Sequence, residues 1–294
     1  MVICTGRSVK GKPSPYGRRE TIDETAAQIN AAGGTAVALR VDHTIEAEVR
    51  RLFARLMRAH GRIDVVVDSV AGEEPLMKQY GSLWDADLSK ADAIFHRALL
   101  PRIITAKHAA AVMVPARRGL IVEVTENDLI SGGGNPMSQS VKVAQKVLPL
   151  LWASELTPHG VTVLSVTPGF LRSEAMLDHF GVTEHNWQEG GKKDSNFLES
   201  ESPQFVGRVI AALAADPHVA KRTGMLCSSW ELAREYDVVD VDGRRPDWGR
   251  HAIDWSVLPP AWVDQYRLGT ALELRWLTTL AARTKQFGRK IPRP

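Results

Sequence analysis

Apolar positions change their period several times along the chain, and each change predicts an element. Val2-Ile3-Cys4 is a short, partly β-branched run ended by Gly6, which predicts a strand at the very first residues. Thr21-Ile22-Asp23-Glu24 is a capping box, and Ile22, Ala26 and Ile29 continue at helical spacing until Gly33-Gly34 stops the helix. Ala36 to Val41 predicts a second strand. Ile45, Val49, Leu52, Phe53 and Leu56 then lay an apolar stripe along a second helix. Ile63-Asp64-Val65-Val66-Val67 is a short, nearly continuous apolar run, the pattern of a strand buried on both faces of a parallel sheet.

The alternation goes on. A long helix is predicted from about Leu83 to Val114, a strand at Leu120 to Val124, a helix from about Met137 to Leu156 and a strand at Val161 to Val166. The helix from Pro203 to Ala215 is bounded by Ser202 as its cap, Pro203 at its first position and Asp216-Pro217 beyond its end. Met225 to Ser228 completes the series as a short strand. Pro101 and Pro149 fall inside two of the helices. A proline in a helix interior costs ~3 kcal/mol or more, so a kink or a fresh start is expected at each. Strands alternating with helices predict an α/β, doubly wound parallel sheet of Rossmann type over residues 1–250, with 251–294 as an extension. Trp230, Trp248, Trp255, Trp262 and Trp276 are five of the eight tryptophans, so the C-terminal portion is compositionally distinct. Packing is the simplest use for them, in a cap or an oligomer contact.

Composition narrows the class. The chain has 294 residues, 44% hydrophobic and 24% charged, which excludes a disordered, collagen-like or coiled-coil protein. Its only cysteines, Cys4 and Cys227, form no disulfide framework and point to a reducing, cytoplasmic setting. No stretch approaches the ~20 apolar residues that span a bilayer, so no membrane is expected as a partner. With 37 basic against 34 acidic residues the net charge of +3 does not imply nucleic acid. The basic runs lie at the ends: Arg7, Lys10, Lys12, Arg18 and Arg19 near the start, and Arg283, Lys285, Arg289, Lys290 and Arg293 in the tail. The tail lacks interleaved aromatic platforms for bases and reads as a solvated end.

Several short pieces occur in a telling order. Val67-Asp68-Ser69-Val70-Ala71-Gly72 ends a strand in small polar residues, Thr125 follows the next strand, Lys142 lies one turn into the following helix, and Pro168-Gly169 follows the strand after that. This set resembles the short-chain dehydrogenase/reductase family over about residues 1–250. The pieces Val41-Asp42-His43-Thr44, Glu123-Val124-Thr125, Thr167 to Glu174 and Ser202 to Asp216 resemble a bacterial subgroup related to dehydrogenase/reductase member 1. The resemblance implies hydride transfer between NADP(H) and a small carbonyl or alcohol, in a homo-dimer or tetramer. It places Arg7 and Ser8 where the family selects its cofactor. A basic residue there pairs with the 2′-phosphate of NADP, although Arg7, Lys10 and Lys12 also read as a plain basic loop. The resemblance further places Asp42 near the adenine, Asp68 at the Asn-Asn-Ala signature, Pro168 and Gly169 at the nicotinamide end, and Lys142 against the ribose.

The same resemblance exposes what is missing. The family opens with a strand, a glycine-rich turn and a helix whose amides hold the pyrophosphate. Thr5-Gly6 mimics the start of that turn, but Lys10 and Lys12 stand where its next glycines belong. Three charge-assisted bonds at ~1.5 to 3 kcal/mol each would be lost, against the ~8 kcal/mol of micromolar binding. In the family's strand order the absent strand is central, so its two neighbours are expected to lose their common partner, as in an N-terminally truncated chain. The catalytic tyrosine is also missing, because Ser138 stands four residues before Lys142. Thr125, or Glu126 by loop length, occupies the place of the family's serine. The expectation is weak or absent catalysis, with a non-catalytic scaffold or a gene fragment as the alternative. Among other candidates, His179, Glu184 and His185 match no zinc signature and no metal is assigned. Ser131 to Gly134 reads as a substrate loop, and Cys227 as a core thiol.

Overall fold

The computed structural model describes residues 1–12, 18–72, 76, 83–85, 87–126 and 135–252. Trp255, Trp262, Trp276, the basic tail and the Ser131 to Gly134 loop lie outside the described residues. The chain divides into two compact units: 1–64 with 70–116 and 134–141, and 65–69 with 117–133 and 142–294.

In the first unit β1 (Val2–Gly6) pairs in parallel with β2 (Ala36–Arg40), Val2 opposite Ala36 and Gly6 opposite Arg40. Between them runs α1 (Ile22–Ala31), whose capping box is complete. Thr21 Oγ1 accepts from the Glu24 amide at 3.2 Å, and Glu24 Oε2 accepts from the Thr21 amide at 2.9 Å. Helix α2 (Glu46–His60) buries the expected Val49, Leu52 and Phe53 and ends on Gly61, whose φ of 70° suits glycine. His43, just past β2, bridges two threonines. Thr105 Oγ1 donates to the Pro101 carbonyl at 2.8 Å, so at its 2.8 Å contact with His43 Nδ1 it accepts. His43 Nε2 lies 3.0 Å from the Thr5 hydroxyl.

The predicted long helix runs from Leu88 to Ala116 with one wider turn inside it. A 3₁₀ turn at Leu83–Asp85 precedes α3 (Leu88–Ile94), then a π-helical turn at Phe95–Leu99, then α4 (Leu100–Ala116). Pro101 explains the π turn. A proline cannot donate to the preceding turn and its ring crowds the carbonyl four residues back, so one wider turn relieves the clash without ending the helix. Pro149 instead lies within α5 (Pro136–Leu156), which runs through it.

In the second unit β3 (Val65–Asp68), β4 (Gly119–Val124), β5 (Val161–Thr167) and β6 (Leu226–Ser228) form a parallel sheet in that order. Helices α6 (Glu174–Phe180), α7 (Pro203–Ala215), α8 (Ser229–Glu235) and α9 (Trp248–Ala252) complete it. Leu120, Val122, Leu164 and Val166 from the sheet pack against Phe205, Val209 and Leu213 from α7 and Leu232 from α8. Every residue of β5 is buried.

The expected two-sided burial of β3 is not found: Val65 is 38% and Val67 47% exposed. β3 pairs only with β4, and β1 only with β2. Each is therefore an edge strand among the described residues.

Candidate active site

Ligands of parallel α/β sheets bind at the carboxyl ends of the strands, and the sequence-derived residues gather at such ends. In the first unit, Arg7 and Ser8 follow β1 and Asp42 follows β2, and the two loops are tied by the Val41 amide donating to the Gly6 carbonyl at 3.0 Å. Asp42 spends Oδ1 locally, accepting from the Thr44 amide at 3.0 Å and the Thr44 hydroxyl at 2.7 Å. The Ser8 carbonyl accepts from the Ile22 amide at 3.1 Å.

In the second unit, Asp68 ends β3 and is buried, Thr125 follows β4, and Pro168-Gly169 follows β5. The Thr125 amide donates to the Val166 carbonyl at 2.9 Å, which turns its side chain inward, 2% exposed, with Oγ1 lacking a hydrogen-bond partner. Lys142 Nζ lies 2.6 Å from Glu126 Oε2, the lysine nearly buried and the glutamate half exposed. The carboxylate is thus the ammonium's partner. Ser138, one turn earlier on α5, is 1% exposed and its Oγ also lacks a hydrogen-bond partner.

Gly169 is closely surrounded. A Cβ there would lie 2.5 Å from the Trp248 Cβ and 2.9 Å from Glu201 Oε2, so no larger residue fits without displacing one of them. Beside this turn is a charge network around a buried arginine that the sequence did not announce. Arg172 Nη2 donates to Glu184 Oε1 at 2.8 Å, Nε reaches both Glu184 oxygens at 3.1 Å, and Nη1 donates to the Ser200 carbonyl at 3.1 Å. Its guanidinium lies 4.2 Å from the centre of the Trp187 ring. Glu184, weighed above beside His179 and His185, serves this arginine. Glu201 is completely buried and burial pushes its carboxyl up to about 8. The available signal was the abrupt Glu-Ser-Pro cap before α7, which marks a helix start but not a buried acid. Cys227 fits its expected place in the core, burial pushing its thiol up to about 12.

Whether these residues fit a nicotinamide dinucleotide turns on the pyrophosphate. The helix that follows β1 has its first amides taken by its own capping box, with Glu24 placing a carboxylate there, and the Lys10 amide donates to Asp23 at 2.8 Å. A second anion is repelled from such an end. The acidic first turn of α1 therefore does not favour a pyrophosphate at the strand-to-helix turn after β1.

Parallel strands, alternating helices and polar groups at the strand ends define a Rossmann-type α/β protein. The chain belongs to the short-chain dehydrogenase/reductase family, a family of oxidoreductases. A family model described as enoyl-(acyl carrier protein) reductase matches residues 16–224. Dehydrogenase/reductase SDR family member 1 of Mus musculus is 30% identical over 269 residues, covering 89% of this chain and 85% of the relative. The protein of the same description from Homo sapiens is 31% identical over 230 residues, covering 76% and 73%. Among solved structures, the NADPH dependent reductase YwfH, involved in bacilysin biosynthesis, superposes with a TM-score of 0.61 at 17% identity, over 77% of this chain and 85% of that one. A hydroxysteroid dehydrogenase from Escherichia coli gives 0.59 at 17%, over 77% and 83%. At these identities the structures show the fold. Among the described residues no helix is long and apolar enough to cross a membrane.

Proposed function

We propose that this chain is an impaired NADP(H)-type oxidoreductase, whose interconversion of a small carbonyl compound and its alcohol is weak or absent. Ser138 carries the reading. The family's reaction needs a phenol to pass a proton, and α5 offers an aliphatic hydroxyl one turn before Lys142. Tyrosine titrates near ~10 because its ring spreads the phenolate charge, and serine has no such outlet. Loss of a positioned acid costs ~100- to 10,000-fold in rate. The Lys142–Glu126 pair supports the same reading, since the ammonium the family keeps for the ribose is matched by a carboxylate.

By the family's pattern Arg7 favours the 2′-phosphate of NADP over NAD, Asp42 the adenine, Asp68 the place of the Asn-Asn-Ala signature, and Pro168-Gly169 the nicotinamide end. The NADPH-dependent fold neighbour supports that choice of cofactor. Two free thiols support a reducing, cytoplasmic setting.

Titration with NADPH tests the reading. A ligand at 100 times its dissociation constant stabilises a protein by ~2.7 kcal/mol, an easily measured rise in Tm. An oxidoreductase should show that rise and quenched tryptophan fluorescence, a non-catalytic scaffold neither, and the impaired reading expects the same negligible NADPH consumption in wild type and Ser138→Ala with a panel of aldehydes and ketones. Robust consumption by the wild type overturns the proposal.

A further inference from the structure

We propose that Glu201 is the positioning residue of the Pro168-Gly169 turn, holding the Gly169 amide and the Ser229 hydroxyl together on one buried carboxyl group. The proposal deepens the reading that this turn is the nicotinamide end, but its geometry stands without a nucleotide. Glu201 Oε2 accepts from Ser229 Oγ at 2.8 Å, and the Gly169 amide donates to the same carboxyl. The 2.9 Å approach of Oε2 to the Cβ position of Gly169 shows direct contact. The backbone of Glu201 is fastened to the same segment, its amide donating to the Phe170 carbonyl at 2.9 Å and its carbonyl accepting from the Arg172 amide at 2.7 Å. One side chain thus joins the turn after β5, the start of α8 and the residue before the cap of α7. Taking a carboxyl out of water is costly, and an apolar residue would fill the space without that cost. Its hydrogen bonds to the turn are what an apolar residue could not make.

The proton state follows from the surroundings. Oε1 has no hydrogen-bond partner, and Asp240 adds like charge to the effect of burial. The hydrogen bonds from Ser229 and the Gly169 amide oppose them, and so, more weakly, does Arg172, which is bonded to Glu184 and also lies 3.9 Å from Asp240 and 3.7 Å from Asp242. Burial, the leading cause, moves the carboxyl from 4.5 to about 8, so near neutral pH it holds the turn as an uncharged acid. The sign of the linkage is fixed. The folded state keeps the proton longer than the unfolded chain, so this stabilisation is complete below 4.5 and is lost as pH rises to about 8. The folding constant falls about tenfold per pH unit in that window.

The test compares wild type, Glu201→Gln and Glu201→Ala without nucleotide, by thermal unfolding from about pH 5 to about pH 9 and by amide exchange at Gly169 near pH 6. Glutamine mimics the neutral acid. We expect it to match wild type at the acid end and to lose less Tm as pH rises, while alanine speeds Gly169 exchange at least about tenfold with β4 unchanged. Parallel pH profiles for wild type and glutamine, or unaltered Gly169 exchange in folded alanine protein, would overturn the proposal. Should the alanine protein not fold, Glu201→Asp, whose carboxyl is withdrawn by one methylene, takes its place in the exchange measurement. All readouts are free of NADPH, so they succeed or fail whichever way the cofactor titration falls.

Discussion

Arg172 is 1% exposed, and a guanidinium that deep in a protein is tolerable only with every donor directed at an acceptor. Glu184, the Ser200 carbonyl and the Trp187 ring supply that coordination, and Asp240, itself 0% exposed in its side chain, lies within 3.9 Å. Arg172→Ala would leave Asp240 buried with its cation gone. We expect a loss of about 3 to 5 kcal/mol in urea unfolding, the usual cost of breaking a buried pair from one side. Arg172→Lys should recover only part of it, because an ammonium cannot repeat the guanidinium's two-oxygen grip on Glu184. A loss below about 1 kcal/mol for the alanine variant would show that the network is slack. At this scale the sequence was partly legible. Lys142, Thr125 and Ser138 could be named because the resemblance to the family fixes their order along the chain. Glu126 could be named as the alternative to Thr125 but not as the partner of Lys142, and the buried charges of Glu201 and Arg172 not at all, because burial of a charge is decided by partners 12 to 28 residues away.

Elements were read best where their ends carry chemistry. Helix α7 has the boundaries its cap, first-position proline and trailing Asp-Pro dictate: Ser202 Oγ accepts from the Phe205 amide at 3.1 Å, and Pro203 opens the helix. The capping box of α1 is equally local and equally visible. The valine run of β3 announced a strand correctly but not its surroundings, since burial depends on which strands lie alongside and not on the run itself. The same limit hid the π turn before Pro101: a proline signals conflict with a helix, while the way the chain resolves it depends on packing. Edge position has a measurable consequence. Val67→Thr, at a 47% exposed site, should change stability by no more than about 0.5 kcal/mol. Leu164→Ala, in fully buried β5, should cost about 2 to 5 kcal/mol. Comparable losses at the two sites, measured by chemical denaturation, would mean that β3 is covered in solution.

Across the whole molecule, protection of the backbone should follow the pairing of its strands. Among the described residues β4 and β5 each have hydrogen-bonded neighbours on both sides, whereas β1 and β2 have only each other and β3 has only β4. Amides of a doubly paired, buried strand exchange only through large openings, while those of a two-stranded sheet can exchange by local fraying. We expect peptides spanning 161–167 and 119–124 to exchange slowest, and those spanning 2–6 and 36–40 to exchange faster by orders of magnitude. The family relationship sharpens the meaning of the result, because a member with a complete central sheet would protect all of these strands together. If β1 exchanges as slowly as β5, a further strand pairs with it in solution, and the two-stranded sheet of the first unit would then have to be reconsidered.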